Sequence, residues 1–185
     1  MLNNEILSHL MAEDKKELIF EMIMDEYGEK LIRLAYGYLK DWGLAEDVVQ
    51  EVFIKCHHRL ESFRMDSSIQ TWLYSITSNQ CKDVLRSTYF KRMISNISIF
   101  KTNPEARTTP ELILLEHEKD QQMTNALLTL PVKYREVLIL FYYEDASILE
   151  ISQILRTNEN TVKTRLHRGK KLLKKMIEEG PSWKN

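Results

Sequence analysis

The sequence predicts an all-α fold made of two small helical domains joined by a flexible linker, and three observations carry that reading. Apolar residues recur at spacings of three and four, which gathers them on one side of a helix, and no alternating β-branched run competes with that pattern. Glycine and proline are scarce, at 5 and 4 of 185 residues, so few positions interrupt a helix. Between residues 94 and 109 the pattern fades into Ser, Asn, Thr and Pro104, which reads as a linker. The expected units are therefore residues 1–93, a linker over 94–109, and residues 110–180.

Residues 1–14 are polar and weakly patterned, and are expected to be a mobile lead or a frayed first turn. Lys16–Glu26 and Tyr27–Leu39 read as two helices burying Phe20, Ile23, Tyr27, Leu31, Leu34, Ala35 and Tyr38. Asp41-Trp42-Gly43 is a turn, followed by an amphipathic helix over Leu44–Leu60 with Ala45, Val48, Val49, Val52, Cys56 and Leu60 inside. On its outer face Asp47, Gln50, Glu51, Ile54 and His58 project together. An isoleucine ringed by carboxylates and an amide has the apolar centre and polar rim of a protein-contact patch, although a lone exposed isoleucine is also ordinary.

Glu61–Ser67 is a loop carrying Phe63, Arg64 and Asp66, and Ser67 or Ser68 caps the helix that begins at Ile69. Ile69, Trp72, Leu73, Ile76 and Val84 form its inner stripe. Tyr74, Ser75, Ser78, Asn79, Lys82 and Arg86 lie on the other side, and basic residues continue to Lys91 and Arg92. Cations interleaved with rings and amides suit single-stranded nucleic acid, because bases stack on rings while Lys and Arg follow the phosphates. The alternative is that Trp72 is core and the cations are solvated.

Beyond the linker, Pro110 at a first helical position opens a helix to Leu128, and Thr129-Leu130-Pro131 separates it from Val132–Tyr143. Ser147 with Glu150 three residues later forms a capping box, and Ile148, Ile151, Ile154 and Leu155 make the stripe of a short helix. Arg156–Asn160 breaks that helix, with Thr157 or Asn158 able to cap the next one. In the last helix Val162, Leu166, Gly169, Leu173 and Met176 share one face, opposite Lys163, Thr164, His167, Lys171, Lys174 and Lys175, with Arg168 on the flank. Eight Lys/Arg against one Glu lie between Arg156 and Lys175. A capped short helix, a tight turn and a basic-faced helix form a helix-turn-helix pattern, whose second helix enters the major groove.

Net charge is only −1, but it is distributed in blocks of −7 (residues 1–54), +5 (55–101), −5 (102–155) and +6 (156–185). Two basic surfaces could therefore meet phosphate, while the acidic blocks suit a basic protein partner or simply favour solubility. Cys56 and Cys81 are the only cysteines and form no C-x-x-C pair, which argues against a disulfide framework or a zinc site. No stretch approaches the ~20 apolar residues of a membrane span, and Met1-Leu2-Asn3-Asn4 does not open a signal peptide. A cytoplasmic protein is expected.

Four motifs in order resemble the extracytoplasmic-function (ECF) group of bacterial sigma-70 factors, the initiation subunits of RNA polymerase, from about Glu17 to Lys175. Ala45–Phe53 resembles the region 2 helix that docks on the polymerase β′ coiled coil. Thr71–Asn79, with Asp83 and Arg86, resembles the segment that melts and reads the −10 element. Leu130-Pro131 through Tyr134–Leu138, and Glu150-Ile151 through Asn160–Arg168, resemble region 4, which reads the −35 element.

The resemblance implies roles by residue. Asp47, Gln50, Glu51 and Ile54 would contact core polymerase. Phe63, Arg64, Asp66 and Ser67, in the loop matching one that holds a flipped −10 base, would face the non-template strand together with Trp72, Tyr74, Asn79, Lys82 and Arg86. Asn160, Lys163, Thr164, His167, Arg168 and Lys171 would meet the −35 element, with His167 standing where some members carry an aromatic. The implied partners are core RNA polymerase through its β′ and β subunits, promoter DNA and an anti-sigma factor, which would sequester the protein at the membrane. Neither a cofactor nor a small-molecule substrate is implied.

A stand-alone dimeric helix-turn-helix regulator would leave the Ile54 patch and the first basic block without a role. An enzyme is not expected. His57 and His58, beside Cys56, point about 100° apart on a helix and cannot both face one ion in the usual way. No nucleophile triad, phosphate-cradling glycine loop or carboxylate pair is present.

Overall fold

The computed structural model describes residues 4–13, 15–63, 65–87 and 118–178. Within them the chain forms eight α-helices: α1 (Asn4–Ala12), α2 (Lys16–Leu39), α3 (Trp42–Arg59), α4 (Ile69–Arg86), α5 (Glu118–Thr129), α6 (Val132–Tyr142), α7 (Ile148–Leu155) and α8 (Glu159–Glu178), with one 3₁₀ turn at Leu60–Ser62. The all-α expectation holds. The linker and the Pro110 helix start lie outside the described residues.

Three local expectations are corrected. The opening segment is a helix rather than a loose lead, because Leu7 is fully buried against the rest of the first domain. The two helices expected over 16–39 are one helix of 24 residues. Gly28 lies within it without breaking it, as a helix long enough to bury Ile19, Ile23, Tyr27, Leu31 and Leu34 outweighs the ~1 kcal/mol cost of one glycine. The turn before α3 shrinks to Lys40 and Asp41. Lys40 adopts a left-handed conformation (φ 58°) that ends α2, and the Asp41 carboxylate accepts from the Leu44 amide at 2.9 Å to start α3.

Helices α2, α3 and α4 pack on one another, and α1 covers α2. Their shared core holds Ile23, Leu31, Leu34, Val49, Val52, Cys56, Leu60, Ile69, Leu73 and Cys81. Burial pushes the Cys56 and Cys81 thiols up to about 12, so both are inert side chains of the core. Helix α8 packs on α5, α6 and α7 to build the second unit around Leu127, Leu130, Val137, Leu138, Ile151, Ile154, Val162 and Leu166. At Gly169 an added Cβ would meet Leu138 Cδ1 at 3.1 Å, so the glycine lets the basic helix lie close on α6.

The two units also pack against each other, α2 on α6 and α4 on α7. Arg135, 2% exposed, is central to that junction. Its guanidinium donates to the Leu128 and Leu130 carbonyls and, across the junction, to the Tyr38 carbonyl at 3.1 Å. It thus satisfies free carbonyls at the C-terminal ends of α5 and α2, where the helix dipole favours a cation.

Candidate nucleic-acid interface

The helix-turn-helix is built by local chemistry. The Ser147 hydroxyl accepts from the Glu150 amide at 3.2 Å while the Glu150 carboxylate accepts from the Ser147 amide at 2.8 Å, completing the capping box. Arg156 takes a left-handed conformation (φ 50°) to stop α7, and the Asn158 side chain accepts from the Thr161 amide at 2.7 Å. Of the two caps the sequence allowed, Asn158 is the one used.

On α8, Val162, Leu166 and Gly169 are buried, while Asn160, Lys163, Thr164, His167, Arg168 and Lys171 are all exposed. The structure brings these six together along one face. Thr164 donates its hydroxyl hydrogen to the Asn160 carbonyl at 2.8 Å, which leaves its methyl and lone pairs outward. Lys163 pairs only loosely with Glu159, 3.8 Å away, so little holds it from a phosphate. A pocket of about 350 Å³ opens beside this face, lined by Lys133, Tyr134, Asn160, Thr164, Arg165 and Arg168 among others. Lys133 was not singled out from the sequence, and Tyr134 only as part of the Leu130–Leu138 motif. They sit on α6, far from α8 along the chain, and only the packing of α6 against α8 reveals them.

The first domain presents two further surfaces. Asp47, Gln50 and Glu51 are exposed on α3 around Ile54, which is 57% exposed. Neither carboxylate of the patch, Asp47 or Glu51, is held in an ion pair among the described residues, so the patch stands open to a partner. The loop before α4 is capped by Ser68, whose hydroxyl accepts from the Thr71 amide at 3.1 Å. Within that loop Met65 has a φ of 58°, a strained conformation for a side chain other than glycine, of the kind that gathers at functional loops. Phe63 packs against Trp72 with ring centroids 5.1 Å apart and the planes tilted by 39°, and Asp66 and Ser67 follow in the same loop. Arg64 lies outside the described residues.

The outer side of α4 is not the open face expected. Tyr74 is fully buried, donating its hydroxyl to Glu144 on the turn between α6 and α7, so the expectation that it touches DNA is corrected for this conformation. Burial and the Glu144 carboxylate push its phenol well up, and burial raises Glu144 in turn. Ser78 is buried as well. Lys82 is held at 2.9 Å by Glu136, while Asn79 is half-buried and Arg86 remains exposed. Trp72, Ile76 and Val84, expected to be the inner stripe with Ile69 and Leu73, are only partly buried. The helix buries two faces because α2 and α3 cover one and α7 the other.

An apolar groove of about 520 Å³ opens on the second domain between Met123, Leu127, Leu138, Tyr142, Leu173 and Ile177. Among the described residues no helix is long and apolar enough to cross a membrane, and no three His, Cys, Asp or Glu side chains gather as a metal site.

Two family models match this chain: sigma-70 region 2 over residues 23–91, and sigma-70, region 4 over residues 120–173. ECF RNA polymerase sigma factor SigW of Bacillus subtilis (strain 168) is 32% identical over 167 residues, covering 86% of this chain and 89% of that protein. RNA polymerase sigma factor SigV of the same organism is 33% identical over 159 residues, covering 86% and 90%. Among solved structures, the sigma factor RpoE in complex with the anti-sigma factor NepR from Bartonella quintana shares the fold. Its TM-score is 0.61 at 20% identity, covering 88% of this chain and 98% of that one.

Proposed function

This chain belongs to the ECF group of RNA polymerase sigma factors, transcription initiation factors rather than enzymes, and we propose from that premise how its surfaces divide the work. Residues 1–93 act as the unit that grips core polymerase and the −10 element, residues 94–109 as a linker, and residues 110–180 as the unit that reads the −35 element. The observation that carries this reading is the single exposed face of α8, where Asn160, Lys163, Thr164, His167, Arg168 and Lys171 stand beside one another. On such a face phosphate contacts supply affinity and the few base-edge contacts supply sequence preference.

Asp47, Gln50, Glu51 and Ile54 serve as the β′ contact, supported by their exposure around an apolar centre. Phe63, Asp66, Ser67 and Trp72 receive a base drawn from the non-template strand, supported by the strained backbone at Met65 and the Phe63–Trp72 pair, and Arg64 of the same loop serves as a further strand contact. Asn79, Lys82 and Arg86 continue that surface along α4. Unstacking a base costs a few kcal/mol, offset by contacts to the single strand. Each unit alone offers few DNA contacts, so polymerase, by holding both at matched spacing, raises the effective concentration of each for its element. The β subunit completes the core contact. The protein acts in the cytoplasm, and an anti-sigma factor holds it inactive at the membrane.

Run-off transcription with purified core polymerase on genomic fragments tests this reading. Start sites that depend on this chain, and that share upstream elements, support it; no dependent transcript on any fragment overturns it.

A further inference from the structure

The loop between α3 and α4 is tied at both ends to a corner of the first domain that has no role so far. Asn4, Leu7 and Met11 share one side of α1, so the packing that buries Leu7 completely also turns Asn4 inward. The Asn4 side-chain amide donates from Nδ2 to the Ser67 carbonyl at 3.1 Å, across 63 positions of sequence. At the other end of the loop, Lys16 at the start of α2 donates from Nζ to the Glu61 carboxylate at 2.8 Å. Between these ties Met65 packs against the core and carries its φ of 58°. A left-handed backbone at a residue other than glycine persists only where its surroundings over-determine it, and a contact at each end of the loop helps to do so. Stability alone accounts poorly for Asn4. Its Oδ1 is buried with no hydrogen-bond partner among the described residues, and a leucine of similar shape would spare the domain that unmet acceptor.

We propose that α1 and the start of α2 form a two-point clamp, in which Asn4 and Lys16 are positioning residues that keep the Glu61–Ser67 loop in its base-receiving shape. In this role neither touches DNA. They act through Ser67 and Glu61, so that the loop is ordered before the strand arrives. A loop already held in its bound shape is spared the ordering cost that binding otherwise meets. Loosening the clamp weakens discrimination at the base the loop receives and leaves the exposed face of α8, in the other domain, unaltered. The inference rests on the promoter reading for the use of the loop, but the clamp itself rests on the two contacts.

Asn4→Leu removes both the donor and the unmet acceptor while keeping the shape, so the thermal midpoint of the full chain is expected to stay within error of the parent. Tryptic cleavage of the full chain after Arg64 is expected to speed up about threefold or more, because cleavage follows local opening of the loop. With core polymerase, transcript yield is then measured on a promoter fragment defined by run-off mapping, and on versions with single −10 or −35 base pairs replaced. Preference at one −10 position is expected to fall about three- to tenfold, the weight of one hydrogen bond, with the −35 preferences unchanged. Lys16→Glu repels Glu61 and is expected to act in the same direction, while adding Glu61→Lys reverses the pair and restores both readouts. Unchanged cleavage in Asn4→Leu would overturn the clamp. Faster cleavage with the −10 preference intact would overturn the positioning role, and so would equal losses at −10 and −35 with a lower thermal midpoint. Should Asn4→Leu fail to fold, the Lys16–Glu61 exchange carries the same two readouts. If no transcript depends on the chain, the promoter reading fails while the cleavage result stands, so the two failures are separable.

Discussion

Arg165 on the DNA-facing helix is bound to Glu136 on α6 at 3.0 Å, and that carboxylate is 3% exposed. The pair ties α8 to α6 beside the buried Val162, Leu166 and Gly169, which turn His167 and Arg168 outward. Leaving a buried charge unpaired costs about 3–5 kcal/mol. Because Lys82 and Tyr38 also reach Glu136, Arg165→Met is expected to cost less, about 1–2 kcal/mol. A urea titration of the full chain measures it, and an unchanged midpoint would remove the pair from the stability of the domain.

Ile54→Asp should leave the thermal midpoint within error of the parent, because the side chain is 57% exposed and substitutions at such sites shift stability by roughly ±0.5 kcal/mol. The same change should lower affinity for core polymerase about tenfold or more, by placing a desolvated charge at the centre of the contact. Co-elution with core enzyme on gel filtration checks this, and undiminished co-elution would take the patch out of the interface.

Arg168→Ala should cost roughly 1–3 kcal/mol at promoters with the matching −35 base if the guanidinium reads a base edge. Competition binding by the polymerase complex on point-substituted −35 sequences reports it. An equal loss on every sequence would mark Arg168 as a phosphate contact instead.

Alkaline pH should unfold the chain early. Tyr27 is raised by burial to about 12, Cys56 and Cys81 likewise to about 12, and Tyr38 and Tyr74 are also pushed up, chiefly by desolvation. These are acids whose folded values lie above the ordinary 9.0 for thiols and 10.0 for phenols, so between those values and about 12 the folded chain keeps protons that the unfolded chain has released. Stability then falls as pH rises through that window. Urea midpoints should be level from about pH 7 to 8 and drop steadily above about pH 9. A midpoint that stays level to pH 11 would contradict the burial of these five groups.

Much of this was legible where the determining chemistry is local. Ser147 and Glu150 announce a capping box within four residues, and the α8 stripe of Val162, Leu166 and Gly169 separates cleanly from its cations, so the reading helix was found with its facing. The α3 patch was legible for the same reason. Tyr74 and Ser78 were expected on an open face because an amphipathic helix was assumed to bury one side, whereas α4 is covered on two by elements distant in sequence. Leu7, Leu10 and Met11 stand at helical spacing, but over barely two turns, too short a pattern to be read as α1. The close approach of Gly37 to Ile139 joins residues about a hundred positions apart, which no local pattern announces.

The central claim, that this chain grips a promoter through polymerase rather than alone, is tested most directly by a mobility-shift assay. A promoter fragment defined by run-off mapping is titrated with the chain alone and with the chain plus core enzyme. Sequence-specific retention only when core enzyme is present is the predicted result. Tight, sequence-specific retention by the chain alone would contradict it.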